Sequence, residues 1–64
     1  MYPEFITYKI RFNDRDFFQR ALHLCNEIDD IDWMDMTFVF DSEVVRDDAC
    51  IILDKCEIEY KKEG

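Results

Sequence analysis

Along residues 4–12 apolar and polar side chains alternate. Ile6, Tyr8, Ile10 and Phe12 fall on one side, and Thr7, Lys9 and Arg11 on the other. A period of two with one polar face predicts a half-buried β-strand. Asn13 or Asp14 then offers a side-chain oxygen as a helix N-cap, and Asp16 follows in the first turn, where negative charge meets the positive end of the helix dipole. From Arg15 to Ile28 the period becomes helical. Phe17, Phe18, Ala21, Leu24, Cys25 and Ile28 share one arc with Leu22 at its edge, opposite Gln19, Arg20, His23, Asn26 and Glu27.

Asp29-Asp30-Ile31-Asp32 reads as a charged connection, and residues 33–40 as a second strand. Met34, Met36, Phe38 and Phe40 lie on one face of it, and Trp33, Asp35, Thr37 and Val39 on the other. Asp41 or Ser42 can cap a second helix reaching Lys55, with Val45, Ala49, Ile52, Leu53 and Cys56 opposite Glu43, Asp47 and Asp54. The β-branched Val44, Val45, Ile51 and Ile52 lower its helix propensity, so a hairpin turning at Arg46-Asp47-Asp48 competes with it. Cys56, Ile58 and Tyr60 alternate with Glu57 and Glu59 and predict a last strand before a Lys61-Lys62-Glu63-Gly64 tail.

The predicted order is β-α-β-α-β. It describes one small α/β domain over residues 1–64, a three-stranded sheet with right-handed crossovers and two helices on one face. The alternative is α+β, one helix on an antiparallel sheet. With both helices on one side, the other face of the sheet stays open and carries Phe5, Thr7, Lys9, Arg11, Trp33, Val39, Glu57 and Glu59, a candidate binding surface.

Composition sharpens this picture. A chain of 64 residues sits near the lower limit for folding without a disulfide or metal, and its 16% aromatic content supplies large buried areas per residue. The single glycine is residue 64 and the single proline residue 3. Tight turns therefore fall to Asn13, Asp14, Asp29, Asp30, Asp41 and Ser42, and a Gly-rich phosphate loop is excluded. Cys25, Cys50 and Cys56 are odd in number and read as reduced thiols. No apolar run approaches the roughly 20 residues of a membrane span, and residues 1–4 lack signal-peptide character, so a cytoplasmic protein is expected.

Charge is the strongest signal. Sixteen acidic residues face eight basic ones, for a net charge of −8. Nine of the acids (Glu27, Asp29, Asp30, Asp32, Asp35, Asp41, Glu43, Asp47 and Asp48) lie between residues 27 and 48 with only Arg46 among them, so this stretch carries the whole net charge. Such a surface repels nucleic acid and anionic membranes and is drawn to basic proteins.

Sites of other chemistry fail on spacing. His23 and Cys25 are two residues apart on a helix and face opposite ways, and no Cys-x-x-Cys anchors a zinc knuckle. Asp30, Asp32 and Asp41 match three positions of an EF-hand loop, yet Met34 and Asp35 occupy positions that require a ligand and a glycine. The same geometry keeps His23 from activating Cys25, so no catalytic residue, metal or cofactor is expected, and the protein reads as a non-enzyme. Lys9, Arg11, Arg15 and Arg20 sit near Tyr8 and Phe12 without the aromatic spacing of an RNA-binding sheet, so direct nucleic-acid binding is not expected.

In size, acidity and compact build the chain resembles small phage- or mobile-element-encoded inhibitors: anti-CRISPR proteins, DNA mimics and acidic proteins that block nucleases. The resemblance implies a basic protein partner, such as a nuclease or a CRISPR effector subunit, and no catalysis. Duplex DNA presents one charge per roughly 1.7 Å of axis, a density that clustered carboxylates can approximate. The expected partner-binding residues are Asp29, Asp30, Asp32, Asp35, Asp41, Glu43, Asp47 and Asp48, with Trp33 as an apolar anchor. The alternative function is a structural role, as a homo-oligomer such as a homodimer or as an accessory subunit, joined through the open sheet face.

Overall fold

The computed structural model describes residues 7–63. Its elements are β1 (Tyr8–Arg11), α1 (Arg15–Leu24), β2 (Asp30–Asp32), β3 (Thr37–Phe40), α2 (Glu43–Lys55) and β4 (Lys61–Glu63). The four strands form one sheet in the order β2-β3-β1-β4, with every neighbouring pair antiparallel. β1 and β2 therefore run parallel with β3 between them, and β3 and β4 run parallel with β1 between them. Two interleaved β-α-β units give the split, ferredoxin-like plan.

The fold is thus α+β on an antiparallel sheet, with two helices, and the three-stranded β-α-β-α-β expectation is corrected. The difference arises at residues 30–36. Asp30-Ile31-Asp32 is itself a strand, not a connection, and residues 33–36 are a turn. Asp32 Oδ1 accepts the N–H groups of Met34 and Asp35, each at 3.1 Å, which closes the turn as an Asx-type cap. Met36 then takes a left-handed φ of 52° and returns the chain antiparallel. The predicted alternation survives only in β3, where Phe38 and Phe40 point inward and are fully buried.

Both helices were expected on one side of the sheet, and they share one core with its inward face. Ile10, Phe12, Phe38 and Phe40 pack with Phe18 and Ala21 of α1 and with Ala49, Cys50 and Leu53 of α2. Phe12, Phe18 and Phe38 form an aromatic triangle with ring centroids 5.0–5.9 Å apart, tilted or edge-on. Asp14 caps α1, accepting from Asp16 N–H at 2.8 Å and Phe17 N–H at 3.4 Å. α1 ends at Leu24, short of the expected Ile28, because Cys25 leaves the helix in an extended conformation. The hairpin alternative for α2 does not form. Ser42 accepts Val45 N–H at 3.4 Å, and the burial of one face outweighs the poor propensity of the β-branched residues.

α2 is rotated relative to its expected arc, burying Arg46, Ala49, Cys50 and Leu53 and leaving Ile52 39% exposed. Arg46 is the cause. Its guanidinium lies 5.2 Å from the Tyr8 ring centroid, donates to Glu63 O at 3.2 Å, and donates through Nε to Asp47 Oδ1 at 2.9 Å. Strand-like alternation over residues 56–60 also misleads. Ile58 N–H is bonded to Leu53 O at 3.0 Å and Glu57 N–H to Asp54 O at 3.2 Å, a Schellman closure of α2 that takes these groups out of any ladder. The last strand is β4, within what the sequence suggested was a tail.

The Schellman closure places Glu57 at φ 58°, where a glycine usually stands. Glu57→Gly removes the Cβ clash of that conformation and is expected to stabilise the domain by about 1 kcal/mol, raising the melting temperature by roughly 4–8 °C. Thermal unfolding followed by circular dichroism checks this, and an unchanged or lower midpoint would contradict it.

Candidate protein-binding surface

β2 is an edge strand, and the β2–β3 hairpin projects its turn into solvent. Trp33 is 62% exposed and Met34 93% exposed. One edge of Trp33 is held against α1, with its ring 5.6 Å from that of Phe18 and nearly perpendicular to it. The remainder of the indole is presented beside Met34, so the tip is apolar and positioned by the core. Asp32 and Asp35 flank it in sequence, and both are exposed.

The carboxylates beneath the tip hold the hairpin together. Asp29 Oδ2 accepts Asp41 N–H at 2.7 Å, and Asp29 N–H donates to Val39 O at 3.0 Å, which ties the start of β2 to the end of β3. Asp30 Oδ1 accepts Ile31 N–H at 2.9 Å. Asp35 lies 3.7 Å from Arg11, which also reaches Glu63 at 3.5 Å; at this exposure such pairs contribute little. Asp29 and Asp32 thus close the hairpin through backbone N–H groups while their carboxylates, with those of Asp30 and Asp35, line its exposed edge. Charge along an edge strand also blocks unwanted strand pairing.

Of the nine expected partner-binding residues, the structure brings together Asp29, Asp30, Asp32, Trp33 and Asp35 on this edge and hairpin. Asp41 and Glu43 adjoin them at the start of α2 through the Asp29–Asp41 bond. Asp47 and Asp48 do not join. Asp47 lies towards β4, roughly 14 Å across the sheet from β2 by strand spacing, where it takes hydrogen bonds from Arg46 at 2.9 Å and Lys62 at 3.1 Å. The Lys62 bond, then the Arg46 bond, holds its carboxyl below the usual value. Asp48 sits on the solvent side of α2.

Pairing register assigns Lys9, Arg11, Asp30, Asp32, Thr37, Val39, Lys61 and Glu63 to the open sheet face. Trp33 turns instead towards α1, and Glu57 and Glu59 precede β4 rather than lying in a strand, which corrects three of the residues expected there; Phe5 lies outside the described residues. Among the described residues this face carries no aromatic ring on which a base could stack. Met34 and Arg46 were missed in the sequence. A methionine in an alternating run reads as core, and an arginine reads as surface.

A concavity of about 820 Å³ lies between the start of α1 and the segment after α2. Four of its lining side chains are engaged elsewhere: Tyr60 O–H donates to Asp54 at 3.0 Å, Asp14 caps α1, and Lys62 pairs with Asp47. Among the described residues no three His, Cys, Asp or Glu side chains converge as metal ligands, and no helix is long and apolar enough to cross a membrane.

Cys25 and Cys50 are buried and Cys56 is exposed. Burial raises the thiol pKa of Cys25 and Cys50, and burial with the Asp54 hydrogen bond pushes the Tyr60 phenol far up. All three groups bind protons more tightly folded than unfolded. Their contribution to stability is therefore complete below the unfolded values, about 8.5 for Cys and 10 for Tyr, and is lost as pH rises beyond them. Urea midpoints should fall progressively above about pH 9. A flat profile to pH 11 or so would contradict the burial of these groups.

Comparison with known proteins returns no matching family model and no significant match to a curated protein or a solved structure.

Proposed function

We propose that this protein is a cytoplasmic binding module that sets the β2–β3 hairpin into a basic site of another protein. By presenting carboxylates where a nucleic acid would present phosphates, it acts as an inhibitor of a nuclease or CRISPR effector subunit. One observation carries the reading: an apolar Trp33–Met34 tip, exposed yet braced by Phe18, stands at the end of an edge lined by Asp29, Asp30, Asp32 and Asp35. An aromatic anchor is the usual energetic centre of an interface, and the acidic edge supplies steering towards a basic partner. The mimic is smaller than the acidic run, because Asp47 is neutralised by Arg46 and Lys62 and Asp48 lies on another surface.

The alternative, an accessory subunit self-associating through the open sheet face, has less support. The described part of that face is charged, with Val39 its one large apolar side chain, already half-buried.

Capture of purified nucleases and CRISPR effectors on the immobilised protein tests the proposal. Trp33→Ala with Met34→Ala should weaken a true partner by about 30-fold or more, and raising salt should weaken it further. Binding indifferent to both the hairpin substitutions and salt would refute it.

A further inference from the structure

α2 presents a second apolar surface, remote from the hairpin in sequence and unrelated to the reading above. Val44 is 70% exposed, Ile51 52% and Ile52 39%, and none of them belongs to the core cluster. Val44, Asp48, Ile51 and Lys55 recur at four-, three- and four-residue steps, so they form one stripe along the solvent side of the helix, with Ile52 at its border. These β-branched residues lower helix propensity, and within the monomer they bury little in return.

The charges on the stripe indicate what covers it. Asp48 and Lys55 are both exposed, and neither has an ion-pair partner among the described residues. They stand about 10.5 Å apart along the axis, too far to pair with each other. Ile51 and Ile52 lie midway between them. A second copy of α2, turned end for end about the Ile51–Ile52 midpoint, sets each Asp48 opposite Lys55 of the other copy. The same operation brings the four isoleucines together on the two-fold axis and opposes the two helix dipoles. The surface is self-complementary in the sense that an isologous contact requires.

We infer that the protein forms a weak two-fold dimer through antiparallel α2 helices, with Ile51 and Ile52 at its centre and reciprocal Asp48–Lys55 pairs on either side. The stripe of one 13-residue helix is smaller than a stable interface of roughly 1,200 Å² or more, and each copy carries a net charge of −8, so the affinity is low. Asp29, Asp30, Asp32 and Asp35 lie on the β2 edge and not on the stripe, and their repulsion is screened beyond about 8–10 Å at physiological ionic strength.

Sedimentation equilibrium between about 10 µM and 1 mM tests this, with far-UV circular dichroism to verify each variant's fold. Wild type should pass from monomer to dimer across that range. Val44→Gln with Ile51→Gln should weaken association by about tenfold or more. Asp48→Lys and Lys55→Asp should each weaken it about threefold to tenfold, and the two swaps together should restore it. All of these positions are exposed and leave Trp33 and its hairpin untouched, so partner capture by the hairpin is unaffected. A wild type that stays monomeric throughout, association that ignores the glutamine pair, or a double swap no tighter than the single ones overturns the inference.

Discussion

Phe38→Ala is expected to leave most of the protein unfolded at 37 °C or so. Phe38 is fully buried at the centre of the sheet, paired with Ile10 on β1 and Ile31 on β2. Its ring packs on Phe12 at 5.0 Å and Phe18 at 5.3 Å, so it joins three strands to α1. Removing a buried Phe ring costs about 3–5 kcal/mol, transfer and cavity together. A domain of this length has a total stability of about 3–10 kcal/mol. Urea denaturation checks it, with Met34→Ala as an exposed control expected to change stability by no more than about 0.5 kcal/mol. A loss below about 1 kcal/mol for Phe38→Ala would place that residue outside the core.

Arg46→Ala is expected to be nearly as damaging, by about 3 kcal/mol. The side chain is 5% accessible and joins α2 to the sheet by three contacts: the Tyr8 ring, Glu63 O and Asp47. Truncation removes all three and opens a void, leaving Glu63 O and Asp47 short of a donor. Arg46→Met separates packing from charge. It fills much of the same volume, and a buried ion pair can be replaced by apolar side chains at small cost, so the loss should be about 1 kcal/mol. If alanine and methionine destabilise equally, the charge rather than the packing holds α2 in place.

Arg46 also illustrates what the sequence does and does not convey. β1, the cap at Asp14, the cap at Ser42 and most of both helices are legible because each has a local signature: strict alternation, a side-chain oxygen at the right offset, or a clean arc. α2 has its correct span but the wrong rotation, since its buried arc is centred near a charged residue that periodicity counts as polar. β2 is three residues long, two of them aspartates, too short for a period to emerge. Overlooking β2 hid the hairpin, and the hairpin determines whether the sheet is parallel or antiparallel. Both left-handed positions, Met36 and Glu57, fall on residues without turn signatures, because glycine is missing where the backbone would ordinarily use it.

The candidate site follows the same logic. Nine acids lie close together in the chain, and proximity in sequence becomes proximity in space only along one strand and its turn. Asp29, Asp30, Asp32 and Asp35 stay on one edge because β2 and its turn are continuous. Asp47 and Asp48, next to each other in sequence, diverge by about 100° around α2, one towards β4 and the other to solvent. Trp33 is expected from the sequence as an anchor, whereas its packing against Phe18 depends on the turn swinging to the helix side.

Competition with duplex DNA probes whether the hairpin occupies a nucleic-acid site. For a nuclease or CRISPR effector captured through the hairpin, the wild-type protein should displace bound duplex, with one protein sufficing per site. Trp33→Ala with Met34→Ala should require about 30-fold more protein to do so. A ternary complex in which the protein and the duplex are bound together, undisturbed by the hairpin substitutions, would contradict it.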